Sequence, residues 1–229
     1  MTAQTLAKIP VKARRHAEHN PRDVFTDQLT VEDVLSSPAI CDPLTRFQCC
    51  PPTCGAAAAI LCTDDFALIQ GLTREVRIVA QSLVTDTSSS FAGSAVEAIG
   101  ADMGRHASTQ VYEAAGIGPE DIDVVELHDC FSVNEVIAYE GLGLCPDGGA
   151  SGFIDNGENI YGGRVVTDPS GRLISKGHPL GATGFAQCFE VTSQLRGRSE
   201  KRQVEGARIG LARNIGIGGA CVVTMFGRA

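Results

Sequence analysis

Apolar residues recur along this chain with two alternating spacings. Residues 76–81, 123–127, 207–212 and 220–226 are short runs rich in Val, Ile, Leu and Ala between turn residues, and they predict strands. Between them the spacing lengthens. Val96, Ile99, Met103, Ala107 and Val111 fall on one side of a helix predicted over residues 94–115 and stopped by Gly116. Ser132 with Glu135 gives a capping-box signature for a helix through Tyr139, closed by Gly141 and Gly143. Phe185, Cys188, Phe189, Thr192 and Leu195 mark another helix, and residues 173–175 predict a short strand.

The first third of the chain reads differently. Residues 2–19 predict a basic helix interrupted or kinked by Pro10, with Lys12, Arg15 and His19 on one face. Residues 20–54 carry five prolines and leave room only for short elements near residues 31–35, which suggests an irregular, surface-wrapping segment. The run at 55–62, Gly-Ala-Ala-Ala-Ala-Ile-Leu-Cys, fits a buried strand, though a helix also accommodates it. A linker follows at 71–74. Residues 145–171, rich in Gly, Asn and Asp, predict a long loop of the kind that often carries function. The order of elements from residue 76 predicts an α/β layered domain with helices covering a mixed sheet, and no internal repeat is visible.

With 229 residues and 43% hydrophobic content, the chain can bury a substantial core as one large domain or one domain with an appendage. A net charge of -8 argues against general nucleic-acid binding, which uses a basic face. Nine cysteines, an odd number without a secretory signal, argue for a reducing compartment rather than a disulfide framework. No apolar run approaches the ~20 residues that span a bilayer, so a soluble protein without an integral membrane segment is expected.

Two strand-to-helix corners carry the candidate chemistry, the first of them rich in glycine. Lys176-Gly177-His178-Pro179-Leu180-Gly181-Ala182-Thr183-Gly184 presents a histidine just before a helix, with Gly181 and Gly184 permitting close approach of another segment or a ligand. His128-Asp129-Cys130-Phe131 joins a strand to a helix whose N-terminus favours a Cys130 thiolate. In extended backbone His128 and Cys130 point the same way and Asp129 faces away. The loop 214–219 is either an oxyanion-binding turn or a plain hairpin; it leads into a strand, which excludes a dinucleotide fingerprint. Cys49, Cys50 and Cys54 lack the spacing and the neighbouring histidine of a zinc site, so no metal is expected. Lys12, Arg14, Arg15, His16 and His19 form either a solvated basic face or a seat for nucleotide phosphates.

Several ordered blocks together resemble the thiolases of the sterol carrier protein X or lipid-transfer type. They are residues 7–12, 44–50, 125–131, 139–145, 161–163, 173–184 and 214–221, within a similarity running from about Thr5 to Phe226. The resemblance implies the C-terminal half of a thiolase-like layered fold, with a mixed five-stranded sheet. Residues 1–73 would be a covering-loop remnant plus the last strand of an N-terminal half, and 74–229 the C-terminal domain. It implies an acyltransferase cleaving 3-oxoacyl-CoA by thiolysis, or the reverse condensation, with coenzyme A as substrate and no covalently bound cofactor.

By the same resemblance His178 activates the nucleophilic cysteine and helps bind a thioester oxygen. His128 stands where many thiolases have asparagine, and the N–H of Gly216 completes an oxyanion hole. Lys12, Arg15, His16, Gln48 and Gly181 would bind substrate and coenzyme A. Three departures matter. Asn214 replaces the acid/base cysteine of ordinary thiolases, a role that then falls to Cys130; Cys221, nearby, reads as structural. Cys54 stands where relatives carry aspartate. None of the nine cysteines matches the family nucleophile, so the chain alone is expected to be inactive and to work as a homodimer or with a partner that brings it. The compartment would be cytoplasm, or peroxisome in a eukaryote. The alternatives are a non-catalytic acyl-CoA or lipid-binding subunit and a thiolase-like aldolase of steroid side chains.

Overall fold

The computed structural model describes residues 1–73, 75–91, 93–216 and 219–229. Thr2 starts the first helix, α1 (Ala3–Ala17), by accepting the Thr5 amide at 3.1 Å, one of the donors a helix start leaves open. Pro10 lies inside α1 without ending it, and Leu6, Ile9 and Ala13 enter the main core. Thr30 and Asp33 form a capping box on α2 (Val31–Ser36). A small antiparallel pair, β1 (Ala39–Cys41) and β2 (Leu44–Thr45), follows, then α3 (Asp64–Ile69).

The main sheet comprises β3 (Val76–Thr85), β4 (Val124–Leu127), β5 (Val166–Thr167), β6 (Ile209–Gly216) and β7 (Ala220–Arg228), ordered β3-β7-β6-β4-β5. β7 pairs antiparallel with β3 and β6, whereas β4 runs parallel to β6 and β5, giving the expected mixed five-stranded sheet. Between the strands lie α4 (Ala95–Ala98), α5 (Ala101–Ala115), α6 (Ser132–Gly141), α7 (Ala150–Asp155), α8 (Arg172–Lys176) and α9 (Thr183–Leu195). Alternate residues of the strands feed two cores. Val125, Leu127, Leu211, Val223 and Met225 pack with α1, α5 and α6, while Val124, Val166, Ala212 and Phe226 pack with Val191 and Leu195 of α9.

Several elements depart from the sequence reading. Residues 55–62 form no strand; Ile60 is 98% and Leu61 72% exposed, because no sheet edge pairs with the run among the described residues. The helix expected over 94–115 is two helices. Gly100, at φ 94, breaks it, and a Cβ there would collide with Ile215, so Val96 and Ile99 end up on the surface. Residues 173–175 belong to α8, since three apolar residues cannot by themselves distinguish strand from helix. The loop predicted at 145–171 contains α7 and β5. Ser132 does not cap α6. Phe131 holds the cap position without a side-chain bond, and Glu135 turns inward to Lys12 and Arg172. Arg74, at the end of the expected linker, and Ile217 and Gly218, inside the expected 214–219 loop, lie outside the described residues.

Candidate active site

The two corners singled out in the sequence meet. His128 follows the last residue of β4, and its Nε2 lies 3.2 Å from Nε2 of His178, with ring centroids 4.8 Å apart. Gly177 delivers His178 in a conformation that suits only glycine, φ 94 and ψ 165, and a Cβ there would stand 2.5 Å from Thr53. The His178 amide donates to Pro51 O at 3.3 Å, so residues 51–53 fix the turn from outside. Gly184 plays the close-approach part expected of it, since a Cβ there would lie 2.8 Å from Asn214 Nδ2.

Thr183 Oγ1 donates to Pro179 O and stands 2.8 Å from His178 Nδ1. One ring donates to the other through the facing Nε2 atoms, and the Thr183 hydroxyl is in reach of His178 Nδ1 as acceptor or donor. Burial pushes His128 down to about 4, with the His178 ring and Arg213 adding to the effect. His178 is lowered too, mainly by burial and against the pull of Asp129. Both rings are therefore neutral near neutral pH, and one proton lies between the two facing nitrogens.

Cys130, two residues after His128, is partly exposed, and its carbonyl accepts the Cys50 amide at 2.9 Å. The helix-start argument for a thiolate is corrected. Burial first, then the Asp129 carboxylate, pushes the Cys130 thiol up to about 11, which outweighs the helix dipole and keeps the proton on sulfur. All nine cysteines are free thiols, and among the described residues no cluster of three or more His, Cys, Asp or Glu suits a metal ion.

Behind the corners lies a buried ionic cluster that local sequence did not reveal. Arg172, 1% exposed, pairs through Nε with Asp129 Oδ2 at 2.9 Å, through Nη2 with Asp168 Oδ2 at 3.1 Å, and through Nη1 with Glu135 Oε2. Lys12 Nζ donates to Glu135 Oε1 at 2.5 Å, to Tyr139 OH at 2.9 Å and to Thr167 Oγ1. Asp168 Oδ1 accepts the Leu127 amide at 2.6 Å, tying the cluster to the end of β4. Two cations face three carboxylates. Burial pushes Glu135 up to about 8 and raises Asp168 as well, so a proton retained among these acids balances the charge.

This cluster corrects the expected basic face. Lys12 and His16 do not meet solvent or phosphate: Lys12 is consumed by the carboxylates, and His16 Nδ1 contacts Asp168 O at 3.0 Å, its ring pushed down to about 3 mainly by burial. Arg14 is buried over the rings of Phe25 and Phe47, while Arg15 and His19 are exposed. Gln48 is likewise buried, its Oε1 accepting the Thr45 amide at 2.9 Å as part of a turn. Gly181 is exposed at φ 84 with open space around it. Gly216 ends β6 opposite Ala220, where a Cβ would make only ordinary contact, and Cys221 is buried in the main core beside Arg213.

Two neutral imidazoles, one after β4 and one after α8, and a protonated thiol in the first of these corners form a wall suited to proton transfer and to binding a developing oxyanion. Comparison with known proteins places the chain in a family. Residues 86–227 match the family model described as thiolase C-terminal domain-like, and the chain belongs to that family. Sterol carrier protein 2 of Rattus norvegicus is 50% identical over 222 residues, covering 96% of this chain and 41% of its own length. The chain thus spans about two fifths of that relative. Among solved structures, the Ltp2-ChsH2(DUF35) aldolase superposes with a TM-score of 0.85 at 22% identity, covering all of this chain and 59% of that one. Human mitochondrial 3-ketoacyl-CoA thiolase gives 0.73 at 16% identity, covering 100% and 56%. Both establish the fold. No helix among the described residues is long and apolar enough to cross a membrane.

Proposed function

We propose that this chain supplies the acid/base and oxyanion wall of a thiolase-type acyltransferase acting on 3-oxoacyl-CoA, with the nucleophilic cysteine contributed from outside these residues. The observation that carries the reading is the facing of His128 and His178 Nε2 at 3.2 Å, with the partly exposed Cys130 thiol in the same corner as His128. A cavity of about 540 Å³ adjoins this wall, lined by Phe25, Phe47, Cys50 and Phe131 with Arg14 and Arg46, which suits an apolar acyl or pantetheine chain near an anionic one.

In this reading the cysteine thiolate attacks the 3-oxo carbon and the bond between carbons 2 and 3 breaks. The N–H that one ring gives to the other across the facing Nε2 atoms is the donor a thioester oxygen takes over as negative charge develops on it. Cys130 gives its proton to carbon 2, which a thiol held neutral can do. His178, neutral, then accepts the proton of the incoming coenzyme A thiol as it attacks the acyl-enzyme, and that proton passes on to the Cys130 thiolate, which restores both groups for the next cycle. The partner is a second copy or a nucleophile-bearing chain, in the cytoplasm or a peroxisome.

The test combines binding and turnover of acetoacetyl-CoA with free coenzyme A. The expected result is binding that perturbs the His128 and His178 ring resonances, without turnover by the chain alone. Robust turnover would place the nucleophile inside these residues, and absence of binding at millimolar ligand would remove the active-site reading. Acyl-CoA binding that leaves both rings unperturbed would instead mark a lipid-binding subunit. An aldolase reading predicts carbon–carbon cleavage without added coenzyme A, so coenzyme A dependence separates the two chemistries.

A further inference from the structure

Arg172 sits at φ 70, in the left-handed region that residues with side chains seldom adopt. Its side chain is fully buried against three carboxylates. One of these, Asp129, lies between His128 and Cys130. While Asp129 Oδ2 holds the guanidinium, its Oδ1 accepts the Leu173 amide at 3.2 Å. Arg172 and Leu173 begin α8, whose end passes through Gly177 into His178. A single carboxylate in the first corner therefore grips both the side chain and the backbone of the helix that delivers the second.

We propose that Arg172 is a positioning residue: by bridging Asp129 to α8, it sets the spacing of the His128 and His178 rings. The two histidines come from separate elements 50 residues apart, and their own contact is a single 3.2 Å bond. A bond of that kind contributes about 1 kcal/mol net, too little to align two elements without support. The clamp provides the support, with Lys12 of α1, Glu135 of α6 and Asp168 after β5 closing around the guanidinium, and Arg213 of β6 facing His128 from the other side. Its importance for catalysis rests on the role proposed for the two rings, but the spacing itself is read without any assay of activity.

The test is the double variant Arg172→Gly with Asp168→Asn, which removes the bridge, relieves the left-handed backbone and keeps the cluster near charge balance. Folding is checked by circular dichroism and thermal melting. Ring nitrogen spectra across pH, and nuclear Overhauser effects between the two imidazoles, give the readout. The expected outcome is loss of the ring-to-ring effect and a His128 titration that climbs from about 4 toward the ordinary histidine value. A folded variant with both signals unchanged overturns the proposal. Arg172→Lys keeps the charge but not the fork, so full restoration of the wild-type spectra by lysine would also overturn it, and partial restoration or none supports it. If the double variant does not fold, Asp129→Asn takes its place, since the amide keeps an acceptor for Leu173 while the ion pair is lost; unchanged rings there would sink the idea equally. A failure of acyl-CoA binding leaves these measurements untouched, so the two proposals fall separately.

Discussion

The central strands and the stretch from residue 55 to 99 contain similar residues and end in opposite environments. Leu211 and Val223 are completely buried, whereas Ile60 is 98%, Ile69 78% and Leu83 66% exposed. Composition does not explain the contrast; pairing does. β4, β6 and β7 each have a strand on both sides and helices over the sheet, while β3 is an edge strand and residues 55–62 have no strand partner among those described. An apolar run becomes core where a paired strand satisfies its backbone and helices cover its face, as at the short edge strand β5, whose Val166 is buried. The lesson extends to charge. Lys12 and Arg172, the least apolar of side chains, are buried because carboxylates from three separate segments close around them.

The most severe break in the covered region is Lys12→Met. It leaves Glu135 and Asp168 facing Arg172 alone, and removal of one partner from a buried ionic cluster costs about 4 kcal/mol. Urea denaturation at neutral pH measures it. A loss under about 1 kcal/mol would mean that proton uptake by the acids compensates for the missing cation. Leu211→Ala comes next, at about 3 kcal/mol from lost transfer energy and the cavity left between α5 and the sheet.

A smaller effect follows from pH. His128 binds its proton more weakly in the folded protein, at about 4, than in the unfolded chain, near 6.5. Its contribution to stability is therefore intact above about 6.5 and is lost as pH falls toward 4, by about 2 kcal/mol between pH 7 and pH 5. Glu126 and Glu135, pushed up by burial to about 7 and about 8, move in the opposite sense and gain stability over the same fall. The ring is thus read by difference. Wild type should lose more stability than His128→Gln from pH 7 to pH 5, and parallel losses would show that the ring is not held neutral.

How much of this was legible in the sequence depends on the range of the signal. β4, β6 and β7 were legible because each is a Val- or Ile-rich run between turn residues, and the His178 corner was marked by the glycines and proline around it. The partners of Asp129 were not, since Arg172 lies 43 positions away by the numbering and nothing local distinguishes a charge that will be paired inside from one left in water. Ser132 and Glu135 show the same ambiguity, because a capping box and a buried glutamate share one spacing. On α1 the expected common face of Lys12, Arg15 and His19 is split, with Lys12 buried and Arg15 and His19 exposed, because spacing does not say which side of a helix meets its neighbours. Lys12 and His16 turned inward toward acids supplied from residues 135 and 168.

The smallest expected change in stability lies on the uncovered side. Ile60→Ser with Leu61→Ser removes two side chains that are 98% and 72% exposed, so the folded monomer loses almost no packing, and its stability should change by less than about 0.5 kcal/mol. Self-association should respond much more strongly. Apolar side chains left in water favour whatever covers them, each contributing in proportion to the area buried, about 25 cal/mol per Å². Light scattering across a concentration series should therefore show weaker association for the double serine variant than for wild type. If association is unchanged while stability holds, the run at 55–62 is bystander surface, and the contact that covers this side of the molecule lies instead around β3 and α4. If stability falls by more than about 1 kcal/mol, the run is packed in solution, and its contrast with the central strands disappears.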